Sequence, residues 1–194
     1  MVLAILCVWS AESYSQPKNR VTIHSAFASN ALFTSPGLVG GGSHDGKGAS
    51  AFGITYTRSL NNSFALETGL EYSSNRIEST STFHPGFERI STKHKIEMVS
   101  VPVYGNLTFL KHMFVNGGLL LSMETKISGL EFRGIDSQSG LGYGLGAGGK
   151  YSFKKMTILV NPFFQKYAIL SFDGNDHQER IGELGVKFGV GYNF

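Results

Sequence analysis

Seven ionisable residues are spaced in a way that could support chemistry: Glu67, Glu71, Glu124, Lys126, Lys150, Glu183 and Lys187. Counted along the alternating segments described below, Glu67 and Lys150 fall near one height, and Glu71 and Lys187 near another. Glu124, Lys126 and Glu183 lie further along. Four carboxylates against three ammoniums nearly cancel, as a closed interior requires, because an unpaired buried charge costs several kcal/mol. Such a set serves either as an ion path or binding site, or as a salt-bridge network filling a space too narrow for a water channel. The narrow interior expected of an eight-stranded barrel favours the network, and no catalytic role is assigned to it.

Other motifs point to chemistry and fail on context. Gly144-Leu-Gly-Ala-Gly-Gly149-Lys150 satisfies G-x-G-x-x-G and misses a phosphate-binding loop only at Tyr151, where Ser or Thr should ligate magnesium. Tyr151 to Lys154 leave no room for the helix whose N-terminus would meet a phosphate. The six histidines, His24, His44, His84, His94, His112 and His177, show no paired metal-ligand spacing. Asp173, Asn175, Asp176 and His177 crowd one segment but lack the Glu of a calcium loop, and Gly/Asn/Asp clusters mark turns first. No cofactor and no metal is therefore expected. The net charge of +3 is scattered, with no basic stripe to argue for nucleic acid.

The elements that must position these residues are strands. Between Glu183 and Phe194, Leu184, Val186, Phe188, Val190, Tyr192 and Phe194 alternate with Glu183, Gly185, Lys187, Gly189, Gly191 and Asn193. Leu141–Phe153 and Phe64–Ser73 repeat the pattern, and weaker versions cover Val21–Ala28, Phe52–Leu60, Lys95–Phe109, Met113–Ile127 and Met156–Leu170. Arg58, Glu97 and Phe163 break it. The two charges sit near strand ends, where they reach headgroup level at low cost, and the aromatic can fill space beside glycines.

Short connections at Asn61–Ser63, Leu110–His112 and Lys154–Lys155 alternate with long ones at Ser29–Gly48, Ile77–Lys93, Ser128–Ser139 and Ser171–Glu179. Tight hairpins at one rim and long polar loops at the other define an all-β, eight-stranded antiparallel up-and-down transmembrane β-barrel.

Composition assigns the faces. The chain has 194 residues, 25 of them glycine, and only 16% charged, against roughly 25% in an ordinary soluble protein. A water-soluble sandwich or lipocalin would turn the glycine rows outward, where Gly142, Gly144, Gly146 and Gly148 cover nothing and weaken strands. Turned inward, the same glycines make room in a narrow barrel, and the apolar face meets lipid. Phe64, Phe109, Tyr151, Phe153, Tyr192 and Phe194 all lie close to the short turns or the C-terminus, as an interfacial aromatic girdle requires.

Val2–Trp9 is the one continuous apolar run, followed by Ser13 and Ser15 in the small-residue positions before a cleavage at Ser15/Gln16. Residues 1–15 thus read as a secretory signal peptide and 16–194 as the barrel domain. No Lys or Arg precedes the apolar run, which places the expected start a few residues upstream. Cys7, the sole cysteine, lacks the small neighbours of a lipoprotein signal.

These features resemble the small outer-membrane β-barrels of OmpA/OmpX type, the porin-like outer-membrane β-barrel domain. The resemblance rests on the signal ending before Gln16, the Val99-Ser-Val-Pro102-Val segment, the Gly142–Gly149 strand and the terminal Gly189-Val-Gly-Tyr-Asn-Phe194. It implies location in the outer membrane of a Gram-negative bacterium, contact with its lipid and lipopolysaccharide, and recognition of Phe194 by the barrel-assembly machinery. Functions in this family are diverse. The expected role is structural or surface-interacting, as a non-enzymatic monomer whose long loops, with Leu38, Phe83 and Phe87, meet an external partner. A small porin-like pore is the alternative. A lipid-modifying enzyme comes third, since His84, His94, His177 and hydroxyls such as Ser79, Ser81 and Ser91 show no recognisable nucleophile and base in sequence.

Overall fold

A computed structural model describes residues 19–33, 43–80, 91–128, 137–172 and 179–194. The signal peptide expected at 1–15 lies outside the described residues, as do Leu38, Phe83, His84, Phe87 and the Asp173–His177 cluster. Among the described residues the strands are β1 Asn19–Phe33, β2 Ser43–Ser59, β3 Phe64–Thr80, β4 Ser91–Phe109, β5 Met113–Ser128, β6 Gly140–Phe153, β7 Met156–Ser171 and β8 Arg180–Asn193. Each pairs antiparallel with its neighbours in sequence, and β1 closes on β8 from Arg20↔Asn193 to Phe33↔Arg180. Closure leaves no open edge, so the strands' backbone donors and acceptors are satisfied without water.

The period-two pattern determines what each wall shows. Ile23, Phe27, Ile54, Leu66, Leu70, Val103, Leu119, Leu145, Ile158, Val160, Phe188 and Val190 point outward and are exposed, so apolar side chains ring the barrel on every strand. Contiguous apolar surface of this extent is far beyond what a monomer in water tolerates. The inner face carries Thr22, His24, Thr55, Glu71, Ser73, Asn75, Ser100, Asn106, Gln165 and Glu183, all buried. Phe163 is buried too, between Gly146 and Gly185 on the adjoining strands, which explains an aromatic on the otherwise small inner face.

The strands run further than alternation indicates. Ser29–Phe33, Ser43–Gly48, Ile77–Thr80 and Ser91–Lys93 belong to strands rather than to the long connections. Above the lipid the outer face has no reason to be apolar, so the sequence pattern fades while the hydrogen-bonded ladder continues.

Three irregularities interrupt the ladders, and the two that insert a single residue reset the faces. The β2–β3 register shifts between Gly46 and Ala49, where Gly48 takes φ +96°. The β6–β7 register shifts between Leu141 and Tyr143, near Ala168 at φ +43°. In β5, Lys126 faces Glu97 while Glu124 faces Met98, leaving Thr125 as an extra residue. A bulge of one residue turns everything beyond it to the opposite face. Lys126 is exposed on the outer wall, and its placement in the interior charge set is corrected accordingly.

Candidate functional site

The lumen is layered. Toward the short turns, Glu67 accepts from Asn106 Nδ2 at 3.1 Å and from Thr57 Oγ1 at 3.4 Å, and Lys150 Nζ donates to Thr108 Oγ1 at 2.7 Å. Glu67 and Lys150 share a height but form no direct ion pair among the described residues. Arg20 instead lines the same small cavity as Glu67, with Thr22, His24, Asn116, Asn161 and Lys187. That cavity measures about 20 Å³, room for a single water.

At mid-height Glu71, 1% exposed, collects three donors. Its Oε2 takes Lys187 Nζ at 2.5 Å and His24 Nε2 at 2.8 Å, and its Oε1 takes Gln165 Nε2 at 3.4 Å. A carboxylate only accepts, so His24 must carry its proton on Nε2 here. Lys187 also lies 5.3 Å from the centroid of the Phe163 ring, a favourable cation–π contact. Glycines admit the larger members: a Cβ on Gly53 would lie 2.7 Å from the His24 ring, and one on Gly144 2.2 Å from the Tyr104 hydroxyl.

Above this, Asn75 donates to Glu183 Oε1 at 2.7 Å and accepts from Asn30 at 2.8 Å. An apolar layer follows. Ile77, Ile96, Met98, Leu120, Tyr167, Ala168 and Ile181, each at most 1% exposed, pack together with Leu32 against them. They come from five strands plus β1 and fill the lumen, so a hydrated ion would have to shed its water among alkyl side chains to pass.

The loop-side rim holds a second polar group. His44 and Ser79 face each other across the β2–β3 ladder, with Nδ1 2.7 Å from Oγ, and His44 Nε2 lies 3.5 Å from Glu179 Oε1. Gln138 ties the chain before β8 down, donating to the Glu179 carbonyl at 2.8 Å and accepting from Ile181 N at 2.9 Å. Glu124 accepts from Gln138 N at 3.2 Å, which makes it part of this rim.

Of the residues singled out by sequence, Glu71 and Lys187 are brought into contact, Glu67, Lys150, Glu124 and Glu183 face the lumen with other partners, and Lys126 faces out. His24 and Arg20 were missed. Both have the same parity as Thr22 and Ala26 in β1, opposite Ile23 and Phe27, so reading histidines by face rather than by motif would have found His24. At the short-turn rim Phe64, Tyr151, Phe153, Tyr192 and Phe194 are exposed, while Phe109 is half-buried. Tyr192 stacks on Phe194 at 6.5 Å and His112 on Tyr151 at 5.8 Å, with Lys154 and Lys155 over Phe153 and Tyr192.

No protein-family model matches the chain, and no curated protein matches it. Among solved structures it is similar to the outer membrane protein OprG from Pseudomonas aeruginosa, with a TM-score of 0.57 and 11% identity over 92% of this chain and 97% of that one. It is also similar to Neisserial surface protein A, with a TM-score of 0.50 and 17% identity over 93% of this chain and 100% of that one. At such identities what is shared is the path of the backbone. Eight antiparallel strands closed in sequence order, apolar without and polar within, give this chain the fold of the small OmpA/OmpX-type outer-membrane barrels.

Proposed function

We propose that the protein is an integral component of the outer membrane of a Gram-negative bacterium, where it acts as a rigid anchor presenting its long connections to an external partner. The carrying observation is the filled lumen: the Ile77–Ile96–Met98–Leu120–Ile181 layer supports an anchor over a conduit. In this reading residues 1–15 direct export, 16–194 form the mature barrel, and Phe194 is the signal taken by the barrel-assembly machinery. The aromatic ring from Phe64 to Tyr192 sets its height in lipid, and the segments holding Leu38, Phe83 and Phe87 meet the partner as a monomer's loops do.

Two measurements test this. The refolded mature chain should run faster on a gel unheated than boiled, since a closed barrel resists the detergent. In a planar bilayer it should give no stepwise conductance. Discrete conductance steps would replace the anchor by a small pore.

A specific contact favours one second reading, ester hydrolysis at the rim. With the His44 ring proton on Nε2, toward Glu179, Nδ1 is left to accept the Ser79 hydroxyl proton, and Ser79 Oγ becomes a nucleophile next to its base. A fluorophosphonate probe should then label the wild-type barrel and not Ser79→Ala. Equal, background labelling of both would remove this reading.

A further inference from the structure

Toward the loops the outer wall is divided into two unlike halves. On β3, β4 and β5, the outward positions beyond Tyr72, Val99 and Met123 are polar and many of them charged. Glu97 faces Lys126 across the β4–β5 ladder, Arg76 faces Lys95 across β3–β4, and Glu78 faces both Lys93 on β4 and Asp45 on β2. Lys47, in the bulge of β2, reaches Glu78 at 3.1 Å, and Lys95 is bonded to Glu97. Five cations thus stand among three carboxylates. Arg76, Lys93 and Lys126 have no ion-pair partner among the described residues.

On β1, β7 and β8 the corresponding wall is apolar, with Phe33, Leu170, Phe172 and Leu184 exposed. Lys166 is there but lies over the Phe33 ring, 4.7 Å from its centroid, and Arg180 is buried.

Like charges directly opposite on a sheet destabilise it, since their Cβ atoms lie about 4.5–5.5 Å apart. Arg76 and Lys95 are such a pair. Glu97 raises the Lys95 pKa, chiefly through their hydrogen bond, and Arg76 works against it. An external anion would turn this repulsion into attraction, and the guanidinium fork of Arg76 matches phosphate geometry. The apolar band immediately below identifies the neighbour: at that height, next to lipid-facing Tyr72, Val99 and Met123, stands the headgroup of a membrane lipid.

We propose that the loop-side outer wall of β3–β5 binds the phosphate of a phosphorylated lipid headgroup, with Arg76, Lys93 and Lys126 as its ligands. The proposal rests on the membrane-barrel reading and names a partner for it. The test is native mass spectrometry of the refolded full barrel in mixed micelles containing bisphosphorylated lipid A or its dephosphorylated form, together with thermal melting in each. Wild type should retain the phosphorylated lipid at least tenfold better than the dephosphorylated one. Arg76→Gln/Lys93→Gln/Lys126→Gln should lose that preference while keeping the heat-dependent gel shift, and Lys166→Gln should retain it.

Melting gives an independent readout with a change of sign. Arg76→Gln should melt no lower than wild type in neutral detergent, where it relieves repulsion, and lower than wild type once lipid A is present. Equal retention of both lipids, or a triple variant that binds as wild type does, would overturn the site. Retention of inorganic phosphate added alone would assign the cluster to free anions instead of a headgroup and overturn it as well. Failure of the wild-type chain to show a gel shift would be a failure of the barrel reading, not of this site.

Discussion

Lys187→Met should destabilise the barrel by about 3–5 kcal/mol, the cost of removing one partner from a buried ion pair. Glu71 is the reason. Its carboxylate is buried among Lys187, His24 and Gln165, and without the ammonium it loses its lysine partner and one of its three donors. The double variant Glu71→Gln/Lys187→Met removes both charges and should recover a large part of the loss, because neutral groups of similar shape carry a much smaller desolvation penalty. Urea unfolding of each variant in the same detergent reads both effects. An unchanged midpoint for Lys187→Met would mean that the pair does not hold the lumen together.

Leu119→Arg is the complementary experiment on the other wall. Leu119 lies on β5 between Met113 and Met123, pairs with Val103 and Tyr143, and points outward with 53% of its surface exposed. In a water-soluble barrel an arginine there would change stability by no more than about 0.5 kcal/mol. Facing the middle of a bilayer it should cost about 2–4 kcal/mol. Measured by reversible unfolding from phospholipid vesicles, the larger penalty is expected, and a neutral substitution would reverse the assignment of the faces.

How much of this could be read from the sequence follows from where physics acts on it. In the lipid band every outward residue must be apolar and every inward one must fit a narrow lumen, so alternation in β6 and β8 revealed both strand and face, and Phe163 was explicable from its glycine neighbours. Beyond the band that pressure ends, which is why Ser43–Gly48 and Ile77–Thr80 look like loop and form strand. Parity also carries no warning of a bulge. Thr125 is an ordinary strand residue, yet its insertion moved Lys126 from the expected lumen to the outer wall, where it stands opposite Glu97.

The partners of the inner charges were harder still. Glu71 could be matched to Lys187 by height, since both lie in regular stretches. Its contact with His24 depends on the β1–β2–β3 register, which sets His24 opposite Gly53 and Gly53 opposite Glu71, and on the space Gly53 leaves, while its contact with Lys187 needs β1 to close against β8. The rim contact of His44 with Ser79 and Glu179 joins three segments that all look like loop in sequence, although the first two form strand.

The overrun of the strands beyond the lipid has one more result. β4 has 19 residues. At about 3.3 Å per residue and a tilt of about 40°, a strand of that length stands close to 50 Å tall. The apolar band accounts for about 25 Å of that. The wall therefore overtops the apolar band, as a stiff sheet-walled collar. A peptide grafted between Thr80 and Ser91 would be flown from its top, where approach from the medium meets β-sheet and not lipid.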